Sequence, residues 1–103
     1  MIVASVVTGF FFRKKIEQTM KRFGTNHFVE QSDDITALAP NVIILDLEHP
    51  AALELLKTHG ERIIAFGPHL QDDLRAVAQK FGAKTFTRSA FFFNMHNILH
   101  KHT

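Results

Sequence analysis

The chain has 103 residues, of which 46% are hydrophobic, a formal charge of +2 and no cysteine. That size allows a single domain over residues 1–103 with one core. The missing cysteines exclude disulfides and thiolate metal sites, and no apolar run is long enough to cross a bilayer.

The pI near 9.2 reflects a modest surplus of lysine and arginine, so neither nucleic acid nor membrane is expected as a partner. Arg13-Lys14-Lys15 and Lys21-Arg22 fall on one helix-period segment and read first as a solvated face. The amino terminus, Met1-Ile-Val-Ala-Ser-Val-Val7, lacks the positive region of a secretion signal and reads as a strand. A cytoplasmic location is the expectation.

In chain order, the first strand is predicted at residues 2–7. Phe12, Ile16, Met20 and Phe23 then recur at helical spacing, with Gly24 where the helix should stop. A second strand follows at residues 27–31, and residues 34–38 allow a short helix limited by Ala39-Pro40. Residues 42–47 form the third strand, in which Val42-Ile-Ile-Leu45 is continuously apolar, as a strand buried on both faces requires.

Pro50 opens the next helix, with Leu53 and Leu56 directed inward and Gly60 beyond its end. The fourth strand, residues 62–66, contains the apolar run Ile63-Ile-Ala-Phe66. Leu70, Leu74, Val77, Ala78 and Phe81 make another helical stripe, with Asp72 and Asp73 in its first turn and Gly82 at its end. A fifth strand at residues 84–87 precedes a terminal helix on Phe91, Met95, Ile98 and Leu99, whose last turn carries His100, Lys101 and His102.

Strands alternating with helices over short connections define an α/β protein with a parallel sheet covered on both faces. Five strands and about five helices, with right-handed crossovers, leave few arrangements. By analogy the flavodoxin-like three-layer sandwich, with strand order 2-1-3-4-5, is the expected fold.

The segment Pro40-Asn-Val-Ile-Ile-Leu-Asp46-Leu-Glu-His-Pro50 carries a carboxylate at the carboxyl end of a strand, where such sheets keep their working groups. Together with Ile63-Ile-Ala-Phe66 and Phe81-Gly-Ala-Lys-Thr-Phe-Thr-Arg88, it resembles the receiver domain of bacterial response regulators over essentially the full chain. The resemblance implies that Asp46 is equivalent to the phosphate-accepting aspartate. It also implies two acids after the first strand for Mg²⁺, a Ser or Thr after the fourth, and a lysine after the fifth.

This chain departs from that set. Its first strand runs into Val7-Thr8-Gly9-Phe10, no acid precedes Glu17, Gly67-Pro68-His69 replaces the hydroxyl position, and Arg88-Ser89 replaces the lysine. The implied status is that of a degenerate receiver, or pseudo-receiver, and no metal or other cofactor is expected.

Two expectations concern the sheet edge. Asp46 and Arg88 should form an ion pair, because a guanidinium offers a carboxylate a two-pronged partner. Thr8, Gly67, His69 and Arg88, with Gly9, should gather there near helix amino termini that favour anions; the rival reading is a set of turn residues. His96 and His100 share a helical face, yet two imidazoles alone make a weak metal site, and His27, His49, His59 and His69 show no ligand spacing.

The triples Phe10-Phe11-Phe12 and Phe91-Phe92-Phe93 each open a helix. Successive helical residues turn by about 100°, so three in a row cannot all face the core. Phe10, Phe11, Phe92 and Phe93 are therefore the candidate interface, set against local packing between the two helices.

No nucleophile stands beside a base, so no reaction is expected. The reading is a non-catalytic regulatory or protein-interaction module, with a protein partner or self-association as a homodimer. Its rivals are a phosphorylatable receiver using Asp46 and a sensor of a small anionic ligand.

Overall fold

The computed structural model describes residues 2–21, 24–68 and 72–101. Five parallel strands, β1 (Ile2–Val6), β2 (Thr25–Phe28), β3 (Val42–Asp46), β4 (Ile63–Gly67) and β5 (Lys84–Thr87), form one sheet in the order β2-β1-β3-β4-β5. The helices are α1 (Phe10–Met20), α2 (Ser32–Leu38), α3 (Ala52–His59), α4 (Asp72–Lys80), α5 (Arg88–Phe93) and α6 (Met95–Lys101). The flavodoxin-like topology expected from the alternation is the one found.

Every residue of β3 and β4 is buried, which is why their sequences are unbroken apolar runs rather than alternating ones. Alternate side chains feed two cores. On one face Ala4, Ile43, Leu45, Ile63 and Ala65 pack against α2, α3 and α4; on the other, Val3, Ile44, Ile64 and Phe66 pack against α1, α5 and α6. The pleat of a strand enforces this division.

Several local expectations need correction. α3 begins at Ala52, not at Pro50, because residues 49–52 make a turn in which the Ala52 amide donates to the His49 carbonyl at 3.0 Å. Ala52, Leu55 and Leu56 consequently face the core, while Leu53 is 52% exposed instead of inward. In α4 Ala78 is buried and Leu74 half-buried, but Val77 lies outside.

The terminal helix is two helices. Asn94, at φ −112° and ψ 17°, interrupts it, and its carbonyl accepts from the Ile98 amide at 2.9 Å to start α6. Phe91, Met95, Ile98 and Leu99 are nevertheless all buried, as their spacing predicts. Phe23, Leu70 and His102 lie outside the described residues.

Gly60 serves a purpose other than a left-handed helix end. Its φ is −45° and it begins a 3-10 turn through Arg62. A Cβ there would stand 1.9 Å from the Phe81 carbonyl oxygen, so only glycine lets the end of α3 approach the end of α4 this closely.

Candidate functional site

Asp46 is the last residue of β3 and is almost fully buried at the carboxyl edge of the sheet. The neighbouring strand β1 ends two residues before Thr8, so the in-register pairing of β1 with β3 brings Thr8 alongside. Thr8 Oγ1 donates to Asp46 Oδ2 at 2.6 Å, and the Thr8 amide donates to the same oxygen at 3.3 Å. The Glu48 amide donates to Oδ1 at 3.0 Å.

Three donors without formal charge therefore hold the carboxylate. Among the described residues no cation lies within ion-pairing distance of it.

Arg88 does not pair with Asp46, which corrects the sequence expectation. Its Nη2 donates to Glu48 Oε1 at 2.6 Å, and its guanidinium carbon sits 4.9 Å from the centre of the Phe12 ring. Glu48 is partly exposed, and an ion pair at the rim avoids much of the desolvation that pairing with buried Asp46 would demand. Among the described residues, Arg88 Nε is buried without a hydrogen-bond partner.

Of the remaining edge residues, Gly67 ends β4 opposite Thr87 of β5, and a Cβ on it would touch Leu47 at 3.3 Å. Its role is packing. Gly9 precedes α1 with φ +83°, a conformation that favours glycine. His69 lies outside the described residues. The structure thus joins Thr8 to Asp46 and Arg88 to Glu48 as two separate pairs.

A second polar cluster at this edge has no signature in the sequence. The Ala51 amide donates to His49 Nδ1 at 3.0 Å, which leaves the ring proton on Nε2, and Nε2 donates to Glu30 Oε2 at 3.1 Å. Arg13 Nη2 donates to Glu30 Oε1, and Arg13 Nε to the Val7 carbonyl at 2.9 Å. The His49 hydrogen bond first, then that of Arg13, holds the Glu30 carboxyl below the usual carboxylate range. The cluster ties α1 to the loops after β2 and β3.

Among the described residues no group of three or more His, Asp or Glu side chains is placed to hold a metal ion. The His96 and His100 rings lie parallel with centroids 6.5 Å apart. No helix of the described residues is long and apolar enough to cross a membrane.

The phenylalanine triples do meet. Phe12 stacks on Phe92 with ring centroids 5.0 Å apart, and Phe66 stacks on Phe91 at the same separation beneath them. Phe92 is half-buried in this contact, so of the four candidate interface residues it is the one that packs inward. Phe10, Phe11 and Phe93 are 78%, 64% and 88% exposed. An open groove of about 510 Å³ runs between the helices, lined by Phe12, Lys15, Arg88, Ser89, Phe92 and Phe93.

The topology, with an aspartate closing the third strand, is that of a receiver domain, and solved structures of this class superpose on it. NtrX from Brucella abortus, in complex with ADP, matches at a TM-score of 0.79 and 16% identity, over 98% of this chain and 26% of its own. This chain thus spans about a quarter of NtrX. A response regulator from Thermotoga maritima matches at 0.76 and 12% identity, covering 98% of this chain and 95% of that one. A signal receiver domain from Clostridium thermocellum matches at 0.73 and 17%, with the same coverages. No family model and no curated protein matches the sequence. At these identities the likeness establishes the fold.

Proposed function

We propose that this protein is a receiver-like regulatory module that acts by binding another protein, without catalysis and without being switched by phosphorylation of Asp46. The observation that carries the reading is the Thr8 side chain. Its hydroxyl donates to Asp46 Oδ2 at the end of β1, where the receiver resemblance leads one to expect acids.

A divalent cation of the Mg²⁺ class fits poorly against this arrangement. It requires several oxygen ligands in near-octahedral array, whereas donors already occupy both Asp46 oxygens. Two residues on, Glu48 is committed to Arg88. The groups that would neutralise charge on an incoming phosphoryl are likewise diverted, since Arg88 points to Glu48 and stacks on Phe12.

What remains available is surface. Phe10, Phe11 and Phe93 present aromatic area to solvent on one side of the molecule, and exposed apolar surface of this kind marks contact sites. Incubation with a small phosphodonor and Mg²⁺, followed by intact mass measurement, tests the reading. The expected result is an unchanged mass; a stable gain of one phosphoryl group, abolished by Asp46→Asn, overturns it in favour of a phosphorylatable receiver.

A further inference from the structure

The two helical layers differ in charge. Helices α1, α5 and α6 carry five lysine or arginine side chains and one acid, Glu17. Helices α2, α3 and α4 on the opposite side of the sheet carry five acids and three lysine or arginine side chains. Among the described residues the exposed rings, Phe10, Phe11 and Phe93, all belong to the basic layer.

On that layer Lys14 Nζ lies 5.5 Å from the centre of the Phe10 ring, and Lys15 Nζ lies 5.0 Å from that of Phe11 and 6.0 Å from that of Phe92. Among the described residues neither lysine is within ion-pairing distance of a carboxylate. By contrast Arg13 and Arg88, which flank them, are engaged with Glu30 and Glu48. The layer thus offers aromatic walls, a groove between α1 and α5, and two ammonium groups at its rim that lie over ring faces and, among the described residues, form no ion pair.

From the proposed role as a binding module, on which this step rests, we infer that the α1/α5 groove receives an acidic amphipathic segment of a partner protein. An apolar side chain of the partner seats between Phe12, Phe92 and Phe93, and its carboxylates meet Lys14 and Lys15. Both halves of the surface are then used: rings supply area to be taken out of water, and the lysines supply orientation and discrimination by charge.

A second copy of this chain is a poorer occupant. A two-fold contact through this face would set Lys14 and Lys15 of one copy against the basic layer of the other, and like charges brought together oppose association.

The test uses the intact chain and labelled amphipathic peptides that share one leucine and phenylalanine face and differ only in bearing Glu, Gln or Lys elsewhere. Fluorescence anisotropy ranks their binding, and amide chemical-shift mapping locates it. Vesicles of phosphatidylcholine with and without phosphatidylserine are run alongside, with sedimentation of the protein alone.

The Glu peptide is expected to bind, to weaken with added salt, and to perturb amides of residues 10–20 and 88–101. Reversing both rim charges (Lys14→Glu with Lys15→Glu) should weaken it roughly tenfold, on the scale of two exposed ion pairs. Phe93→Asp should abolish it while leaving the melting temperature unchanged, because the ring is 88% exposed. Equal binding of Glu and Lys peptides, no peptide binding, shifts on the α2 to α4 side, binding only to phosphatidylserine vesicles, or a dimer lost on Phe93→Asp each overturns the inference. Failure here with Asp46 still unmodified by phosphodonor leaves the proposed function standing, whereas phosphorylation of Asp46 removes that reading whatever the peptides do.

Discussion

Thr8 Oγ1 donates a 2.6 Å hydrogen bond to the buried Asp46 carboxylate, across 38 residues of sequence and one strand pairing. A buried polar side chain is costly unless its oxygens are hydrogen-bonded, and here the hydroxyl of a neighbouring strand end performs that task.

Thr8→Val keeps the shape of the side chain and deletes the donor. With the Asp46 oxygen left to a 3.3 Å amide contact, stability should fall by about 1–3 kcal/mol, the range for a buried polar group deprived of its hydrogen-bond partner. Urea denaturation of the variant measures it. Thr8→Ser, which retains the hydroxyl, should recover most of the loss.

The Glu30 carboxyl predicts an acid limb in the stability curve. Its hydrogen bonds to His49 and Arg13 lower its pKa in the folded state. The folded protein therefore holds fewer protons at this group than the unfolded chain. The stabilisation is complete above the ordinary carboxylate range and disappears as pH falls through that range and on through the lower folded value. Glu30 is 59% exposed, so solvent screening keeps the effect small. Glu30→Gln should flatten this limb when thermal midpoints are compared from neutral pH downward, and an unchanged profile refutes the linkage.

Gly60→Ala should destabilise the fold although the backbone angles at this position suit alanine. The new methyl would fall 1.9 Å from the Phe81 carbonyl oxygen, and the ends of α3 and α4 must separate to admit it. A loss of about 1–3 kcal/mol, typical of overpacking, is expected by urea titration. Gly67→Ala, whose methyl would lie 3.3 Å from a Leu47 side-chain carbon, should cost less.

Phe91 and Phe93 are two residues apart and should behave oppositely. Phe91 is fully buried against Phe66, so Phe91→Ala should cost about 3–5 kcal/mol. Phe93→Ala should stay within about 0.5 kcal/mol, as for an exposed position. Parallel melts of the two variants check the assignment of packing to one ring and surface to the other.

Much of the scaffold was readable along the chain. Val42-Ile-Ile-Leu45 and Ile63-Ile-Ala-Phe66 read as central strands from their unbroken apolar runs, and helical spacing points Ile16, Met20, Phe91, Met95 and Leu99 inward, where they are buried. Leu53 departs from its expected inward place because the core-facing stripe of α3 is centred on other residues. Ala52, Leu55 and Leu56 form that stripe, and Leu53, turned by about 100° from Ala52, falls outside it while Leu56 lies inward as its spacing predicts.

At the edge of the sheet the sequence supplied the inventory and not the partners. Thr8, Asp46 and Arg88 were identifiable by type and place. Which donor would reach Asp46 was not, because an exposed rival, Glu48, competes for Arg88. The Glu30–His49 contact joins loops 19 residues apart in sequence, with no spacing rule to reveal it.

Apolar periodicity by itself determined the order and kind of the elements and, with the rules of strand connection, the topology, because burial acts on every residue of an element and leaves a repeating mark. Only the tertiary structure decided how the polar groups are paired and which phenylalanines remain in solvent. Those outcomes turn on differences of a few ångströms between competing partners, and such distances exist only once separate strands and helices have been brought together.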